Sequence, residues 1–234
     1  MVEQRTIFYL FDYPLSKLAS IFLGMAFDRR KFRAIPGVTF AKLLGCGTGE
    51  TFTPSDAALN RWALLLVVES DEIDAAIQSL DSTPLIQTWR KGSLSEYRAV
   101  LENISSHGSW SSREPFRPSV AKNQSGSKVA AITRARLRPS RALTFWRSIP
   151  PVVGALKSTR GLIESFGIGE APIGLQGTFS IWESSEAIRA FAYESSAHKK
   201  AIEDTSNLKW YSEELFARFN ILEERGVITA RSTS

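Results

Sequence analysis

Thiols and imidazoles are scarce in this chain: 234 residues contain one cysteine, Cys46, and two histidines, His107 and His198. One cysteine excludes an internal disulfide and any cysteine-built zinc cluster, and it suits a reducing cytoplasm. Two histidines are too few for a multi-histidine metal centre, and no Ser/His/Asp triad can be assembled. The first residues have no basic-then-apolar signal pattern. The most apolar run, Leu18 to Phe27, falls short of the roughly 20 residues that span a bilayer. Acid is not in excess either. The net charge is +5, with positive clusters at Arg29-Arg30-Lys31-Arg33 and at Arg134, Arg136, Arg138 and Arg141. No nucleic-acid motif accompanies that charge, so nucleic acid is not expected as a partner. The usual reading of such spread charge is a solvated surface; the alternative is contact with an anionic membrane face or with the carboxylates of a cofactor.

What is present is a repeated pattern. A 43% hydrophobic fraction supports a sizeable core. Thr6–Asp12 reads as a strand, Leu15–Phe32 as a helix with Leu18, Ile21, Phe22, Met25 and Ala26 inward, and Gly37–Leu44 as a strand. A glycine-rich hairpin turn, GCGTGE at 45–50, follows. Trp62–Glu69 is a buried strand, Ser70–Leu80 a short helix, and Glu96–Leu101 a strand. From 103 to 128 the composition turns to Ser, Gly and Pro, as in a linker, with Trp110 and Phe116 as possible anchors.

The order then recurs. A strand at Val129–Leu137 leads to a helix from Ser140 to about Lys157. A strand at Leu162–Ile168 ends in a GIGE turn. A strand at Gly177–Trp182, a helix from Ser184 to about Asp204, and a strand at Leu215–Leu222 close the unit. Val68-Glu69-Ser70 resembles Trp182-Glu183-Ser184, and Leu94-Ser95-Glu96 resembles Tyr211-Ser212-Glu213. Each copy reads β-α-β-β-α-β, the ferredoxin-like unit. The expected fold is α+β: two such repeats, 1–102 and 129–234, packed sheet to sheet as in a dimeric α+β barrel, with 103–128 between them.

His198 sits on the helix face that carries Ile188, Phe191, Ser195 and Ile202. One reading makes it a neutral core residue. The other makes it an axial ligand, because a single-histidine site suits haem, whose porphyrin supplies the other in-plane ligands. The matching place in the first copy, near Thr83-Pro84, has no histidine, which favours a site over a folding role. His107, in the linker, reads as solvated. Gly45-x-Gly47-x-Gly49 lacks the helix that a dinucleotide fingerprint requires, and Cys46 reads as a turn residue. Arg134, Arg136 and Arg138 alternate on one strand face. They read either as a solvent-facing edge or as partners for haem propionates.

Several stretches together resemble the spheroidene monooxygenase family: FAKLLGCGTGETFTP at 40–54, WSSREPF at 110–116, ITRARLRP at 132–139, FGIGEAP at 166–172, QGTFSIW at 176–182 and WYSEELFARF at 210–219. His198 matches a histidine of the family's second-repeat helix. The resemblance implies a haem b enzyme. It implies oxidation at C-2 of an acyclic carotenoid with dioxygen and electrons from a ferredoxin-type donor, giving a hydroxyl and then a ketone. It implies His198 on the iron, with Phe179, Trp182, Phe191 and Tyr193 around the macrocycle and Arg134 and Arg136 toward its carboxylates. It leaves open another oxidation of a small secondary metabolite, a cofactor-free monooxygenase and a non-catalytic haem module. A lipid-dwelling substrate implies peripheral contact with the inner membrane face, aided by Leu18–Phe27. The sequence leaves the oligomeric state open.

Overall fold

Strand Glu3–Asp12 (β1) sends Phe8 and Leu10 to one side and Ile7, Tyr9 and Phe11 to the other, and both sides are buried. The same holds for Ala57–Ser70 (β3), whose apolar run Trp62–Val68 is continuous because both of its faces are covered. The computed structural model describes residues 2–49, 51, 56–119, 126–141, 144–145, 154, 156, 158–170, 175–194 and 211–229, with backbone alone for 175–176 and 192–194.

The other strands are Val38–Gly47 (β2), Ser95–Gly108 (β4), Val129–Leu137 (β5), Leu162–Gly169 (β6), Leu175–Trp182 (β7) and Tyr211–Gly226 (β8). They close into one antiparallel barrel in the order β1-β3-β2-β6-β7-β5-β8-β4. The fold is therefore a dimeric α+β barrel drawn in a single chain. Its interior holds Phe8, Phe40, Leu44, Leu65, Phe166, Phe179 and Phe219, among others. Phe8 and Phe179 stack across it with ring centres 3.9 Å apart.

Two seams join the halves, and they differ in length. Strands β4 and β8 are in register at eleven positions, from Tyr97↔Gly226 to Gly108↔Leu215. Strands β2 and β6 meet at two, Gly45↔Gly169 and Cys46↔Ile168. Each end of the long seam is a glycine at positive φ. A Cβ on Gly108 would lie 2.1 Å from the Glu214 carbonyl oxygen, and one on Gly226 would lie 1.9 Å from that of Glu96. No side chain fits either place.

Helix Leu18–Arg33 (α1) follows a 3-10 turn at Leu15–Lys17. Helices Ile73–Asp81 (α2) and Pro84–Gly92 (α3) both lie between β3 and β4. Helix Ser185–Glu194 (α4) follows β7.

Several expectations are corrected. Helix α3 was not foreseen, although Thr83 caps it through Oγ1 and Pro84 opens it. Strand β4 continues through Gly108, into the stretch expected to be linker, because its far end pairs with β8. The glycine-rich stretch at 45–47 is strand rather than turn, and it faces Gly169 and Ile168 across the short seam. Cys46 follows Phe40, Lys42 and Leu44 on the alternating interior face, and it is buried in the core. Helix α1 is rotated from the expected orientation: Ile21, Asp28 and Phe32 face inward, while Phe22 is exposed. Most of the helix expected from Ser140 to Lys157 lies outside the described residues.

Candidate functional site

Lys42 stands on the interior face of β2, between Phe40 and Leu44, with its side chain 1% exposed. An ammonium in an apolar core requires an acceptor. Its Nζ donates to Glu170 Oε2 at 2.5 Å and to Ser111 Oγ at 2.6 Å. It also lies over the Phe40 and Trp110 rings, 5.3 and 5.5 Å from their centres. Glu170 gathers further donors, with Trp110 Nε1 at 2.6 Å and Arg29 at 3.3 Å. Arg134, buried on β5, is ion-paired with Glu213, has Glu170 at 3.6 Å, and lies over Trp110 with its guanidinium carbon 5.5 Å from the ring centre.

Trp110 belongs to a strap, residues 109–119, laid across this end of the barrel. Trp110 and Phe116 enter the interior core. Phe116 meets Phe219 edge to face at 5.0 Å. Between these anchors Ser111 and Ser112 both hold left-handed backbone, φ 57 and 58, a conformation that costs L-residues about 1–2 kcal/mol each. The turn aims the Ser112 amide at Glu213 Oε1, 2.7 Å away, so a carboxylate fills the concavity made by successive N–H groups. Beside it opens a cavity of about 380 Å³ lined by Ser109, Ser112, Arg113, Glu114, Arg136, Ser212 and Glu213. Its two arginines are balanced by two carboxylates, and this polar lining does not suit a polyene.

Burial acts to raise both carboxyls, and their donors overturn it. The Ser112 amide and Arg134 bring Glu213 down to about 2. Hydrogen bonds from Lys42 and Trp110 hold Glu170 below the usual carboxylate range. For Lys42, burial prevails over Glu170 and lowers the ammonium. A carboxylate depressed in the folded state adds stability above its unfolded pKa and loses it as pH falls through the folded value. Glu213→Gln is therefore expected to flatten the decline of stability between about pH 4.5 and pH 2. Urea titrations across that range read the slope, and an unchanged slope would remove Glu213 from the acid limb.

A second region lies on the outer face of the second half's sheet. Val129, Ala131 and Trp182 pack there with Leu156 and Ile188, flanked by Ile104, Leu162 and Phe191. Trp182 and Phe191 rings are 5.6 Å apart. Trp182 Nε1 donates to Ser180 Oγ at 2.9 Å, which satisfies its polar atom in an otherwise apolar layer.

Of the residues singled out in the sequence, Trp182 and Phe191 come together here. Phe179 does not, because strand alternation turns it into the barrel against Phe8. Arg134 is committed to Glu213, whereas Arg136 is exposed at the cavity. Arg138 is exposed and donates to the Tyr211 carbonyl. Tyr193 belongs to α4, and its side chain is not described. His198 lies outside the described residues, while His107 is exposed on β4.

No family model matches the chain. Over 213 residues it is 33% identical to the spheroidene monooxygenase of Rhodobacter capsulatus, covering 90% of this chain and 87% of that protein. The chain belongs to the spheroidene monooxygenase family. The Rubrivivax gelatinosus spheroidene monooxygenase is 34% identical over 196 residues, 84% of this chain and 73% of its own length. A solved aldoxime dehydratase in complex with butyraldoxime shares the fold, with a TM-score of 0.60 at 12% identity over 96% of this chain and 82% of that one.

As a member of the spheroidene monooxygenase family the protein is an enzyme, an oxidoreductase of the monooxygenase kind. Sequence reasoning missed the Lys42–Glu170–Trp110 cluster in this family member. The available signal was a lysine in an alternating apolar strand, at a position where the period calls for a core residue.

Proposed function

We propose that this spheroidene monooxygenase family member is a haem-dependent monooxygenase that oxidises an acyclic carotenoid at C-2. Kinship over nine-tenths of the chain carries the reading. Each turnover inserts one atom of dioxygen into a C–H bond. The other atom leaves as water with two protons and two electrons, drawn from a ferredoxin-type donor. A second hydroxylation at the same carbon gives a geminal diol, which loses water to a ketone. The fold is proposed as two ferredoxin-like repeats, 1–102 and 129–234, joined through 103–128. The equal strand orders β4-β1-β3-β2 and β8-β5-β7-β6 support it.

The described residues fit a haem in one respect. The layer of Val129, Ala131, Trp182, Ile188 and Phe191 is apolar, as a macrocycle needs. Arg136 does not join that layer: it follows Ile132 and Arg134 on the alternate face of β5, seven residues from Val129, the partner of Trp182. Arg134 and Phe179 do not fit, the first because it is paired and the second because it faces the interior. His198 would hold the iron, and Trp182 and Phe191 would flank the ring with Tyr193 on the same helix. When bound, haem supplies dioxygen activation, and the protein orients the substrate and excludes water. The barrel interior is filled with stacked rings, so the substrate belongs on the outer, helix-covered side of the sheet.

The test is the absorption spectrum of haem-supplemented protein. Wild type and His107→Ala are expected to show the same Soret band, and His198→Ala to lose it. Equal spectra in all three, or no haem uptake, would remove His198 and bring forward a cofactor-free monooxygenase.

A further inference from the structure

Helix α1 is apolar on its outward face as well as its inward one. A surface helix normally turns its apolar stripe to the core and its charges to water. Here the inward face carries Ile21, Met25 and Phe32 beside one acid, Asp28, which accepts from Trp89 Nε1 at 3.0 Å and is paired with Lys31. The outward face carries Ala19, Phe22, Leu23, Ala26 and Phe27, spaced three and four apart and ending at Arg30. Phe22 is 47% exposed, Leu23 59% and Phe27 67%. The stripe extends past the helix. Leu15, in the preceding turn, is 70% exposed. Phe22 packs edge to face on Trp62, whose Nε1 donates to the carbonyl of exposed Leu59. Single exposed leucines are ordinary, whereas a contiguous apolar stripe marks a docking surface.

The charges around the stripe choose the occupant. From Leu15 to Arg33 the cations are Lys17, Arg29, Arg30, Lys31 and Arg33. The one acid, Asp28, is turned inward. A stripe of Phe and Leu on a helix whose exposed charges are all cations fits an anionic lipid surface, where rings and methyls sink to the acyl boundary and guanidinium groups stay among the headgroups. Its 16 residues make about 24 Å of helix, and among the described residues no helix is long and apolar enough to cross a membrane. We propose that α1 lies flat on an anionic bilayer, with Phe22, Leu23 and Phe27 as its apolar anchors and Arg30 and Arg33 as its headgroup contacts. The inference depends on the proposed lipid-soluble substrate for its purpose only.

The experiment is co-sedimentation of haem-free full-length protein with vesicles of phosphatidylglycerol and phosphatidylcholine at 0.1 M salt, beside vesicles of phosphatidylcholine alone. Wild type is expected to bind the mixed vesicles and to bind the neutral ones far more weakly. The variant Leu23→Gln/Phe27→Gln is expected to lose at least tenfold in affinity. The variant Arg30→Gln/Arg33→Gln is expected to lose about 25-fold on mixed vesicles, at about fivefold per basic residue, with little change on neutral ones. These positions are exposed, and far-UV circular dichroism confirms folding. No binding by wild type, or variants that bind as wild type does, would overturn the proposal. So would sedimentation velocity that finds a wild-type dimer split by Leu23→Gln/Phe27→Gln, since a second copy would then cover the face. Haem and substrate are absent from the assay, so its failure is separate from failure of the enzymatic reading.

Discussion

Glu170→Ala is expected to cost about 3–5 kcal/mol of folding stability, because it strands a buried charge. Lys42 is 1% exposed and points into a barrel of aromatic and aliphatic side chains. Its acceptors are Glu170 and the hydroxyl of Ser111. With the carboxylate gone, the ammonium keeps one neutral acceptor in a low-dielectric site, and Trp110 Nε1 loses its acceptor as well. The pair is not thereby worth 3–5 kcal/mol, since an apolar replacement of both partners escapes most of that penalty. Lys42→Met/Glu170→Gln removes the charge and keeps an acceptor for Trp110, so it is expected to recover most of the loss. Guanidinium denaturation of wild type, the single variant and the double variant separates these terms. A single-variant loss below about 1 kcal/mol would mean that Lys42 reaches water.

The second large effect is expected at Trp110. Deleting a buried aromatic side chain costs about 3–5 kcal/mol, the lost transfer energy plus the cavity left behind. Trp110 packs edge to face on Phe40 at 5.7 Å, lies under Lys42 and Arg134, and donates to Glu170. It is also one of two strap side chains that enter the interior core, the other being Phe116. Trp110→Ala is therefore expected both to lower stability and to release the strap. Trypsin provides the second readout, through faster cleavage after Arg113. Trp110→Phe preserves much of the packing and loses the donor, so it is expected to fall between wild type and alanine. Unchanged cleavage in Trp110→Ala would mean that Phe116 and the Glu213 contacts hold the strap alone.

The barrel was legible in the sequence because its signal is periodic. Strand β7 alternates, β1 and β3 are apolar runs because both of their faces are covered, and the strand order of β1–β4 recurs in β5–β8. Details that depend on a partner were not legible. The inward face of α1 was misjudged because Asp28 looks like a surface residue until Trp89 is placed beneath it. Arg134 reads as free until pairing of β8 with β5 brings Glu213 alongside it. Lys42 and Glu170 are 128 positions apart, a separation that no local pattern bridges. Trp182 and Phe191 could be paired in advance, because a strand end and the helix that follows it are close in any such fold.

The unequal seams give the ring a clasp. Parting β4 from β8 breaks a ladder of eleven register positions, whereas parting β2 from β6 breaks two. The cheapest breathing of a closed sheet runs along its shortest ladder, so this barrel opens first between Gly45-Cys46 and Ile168-Gly169. Glu170, one residue beyond that ladder, bonds Lys42 of β2 and Arg29 of α1 and so carries the fastening that the backbone does not supply. The clasp is electrostatic where the hinge is made of peptide groups. The Arg29 contact, nearly half exposed, weakens as ions are added, while the buried Lys42 contact holds.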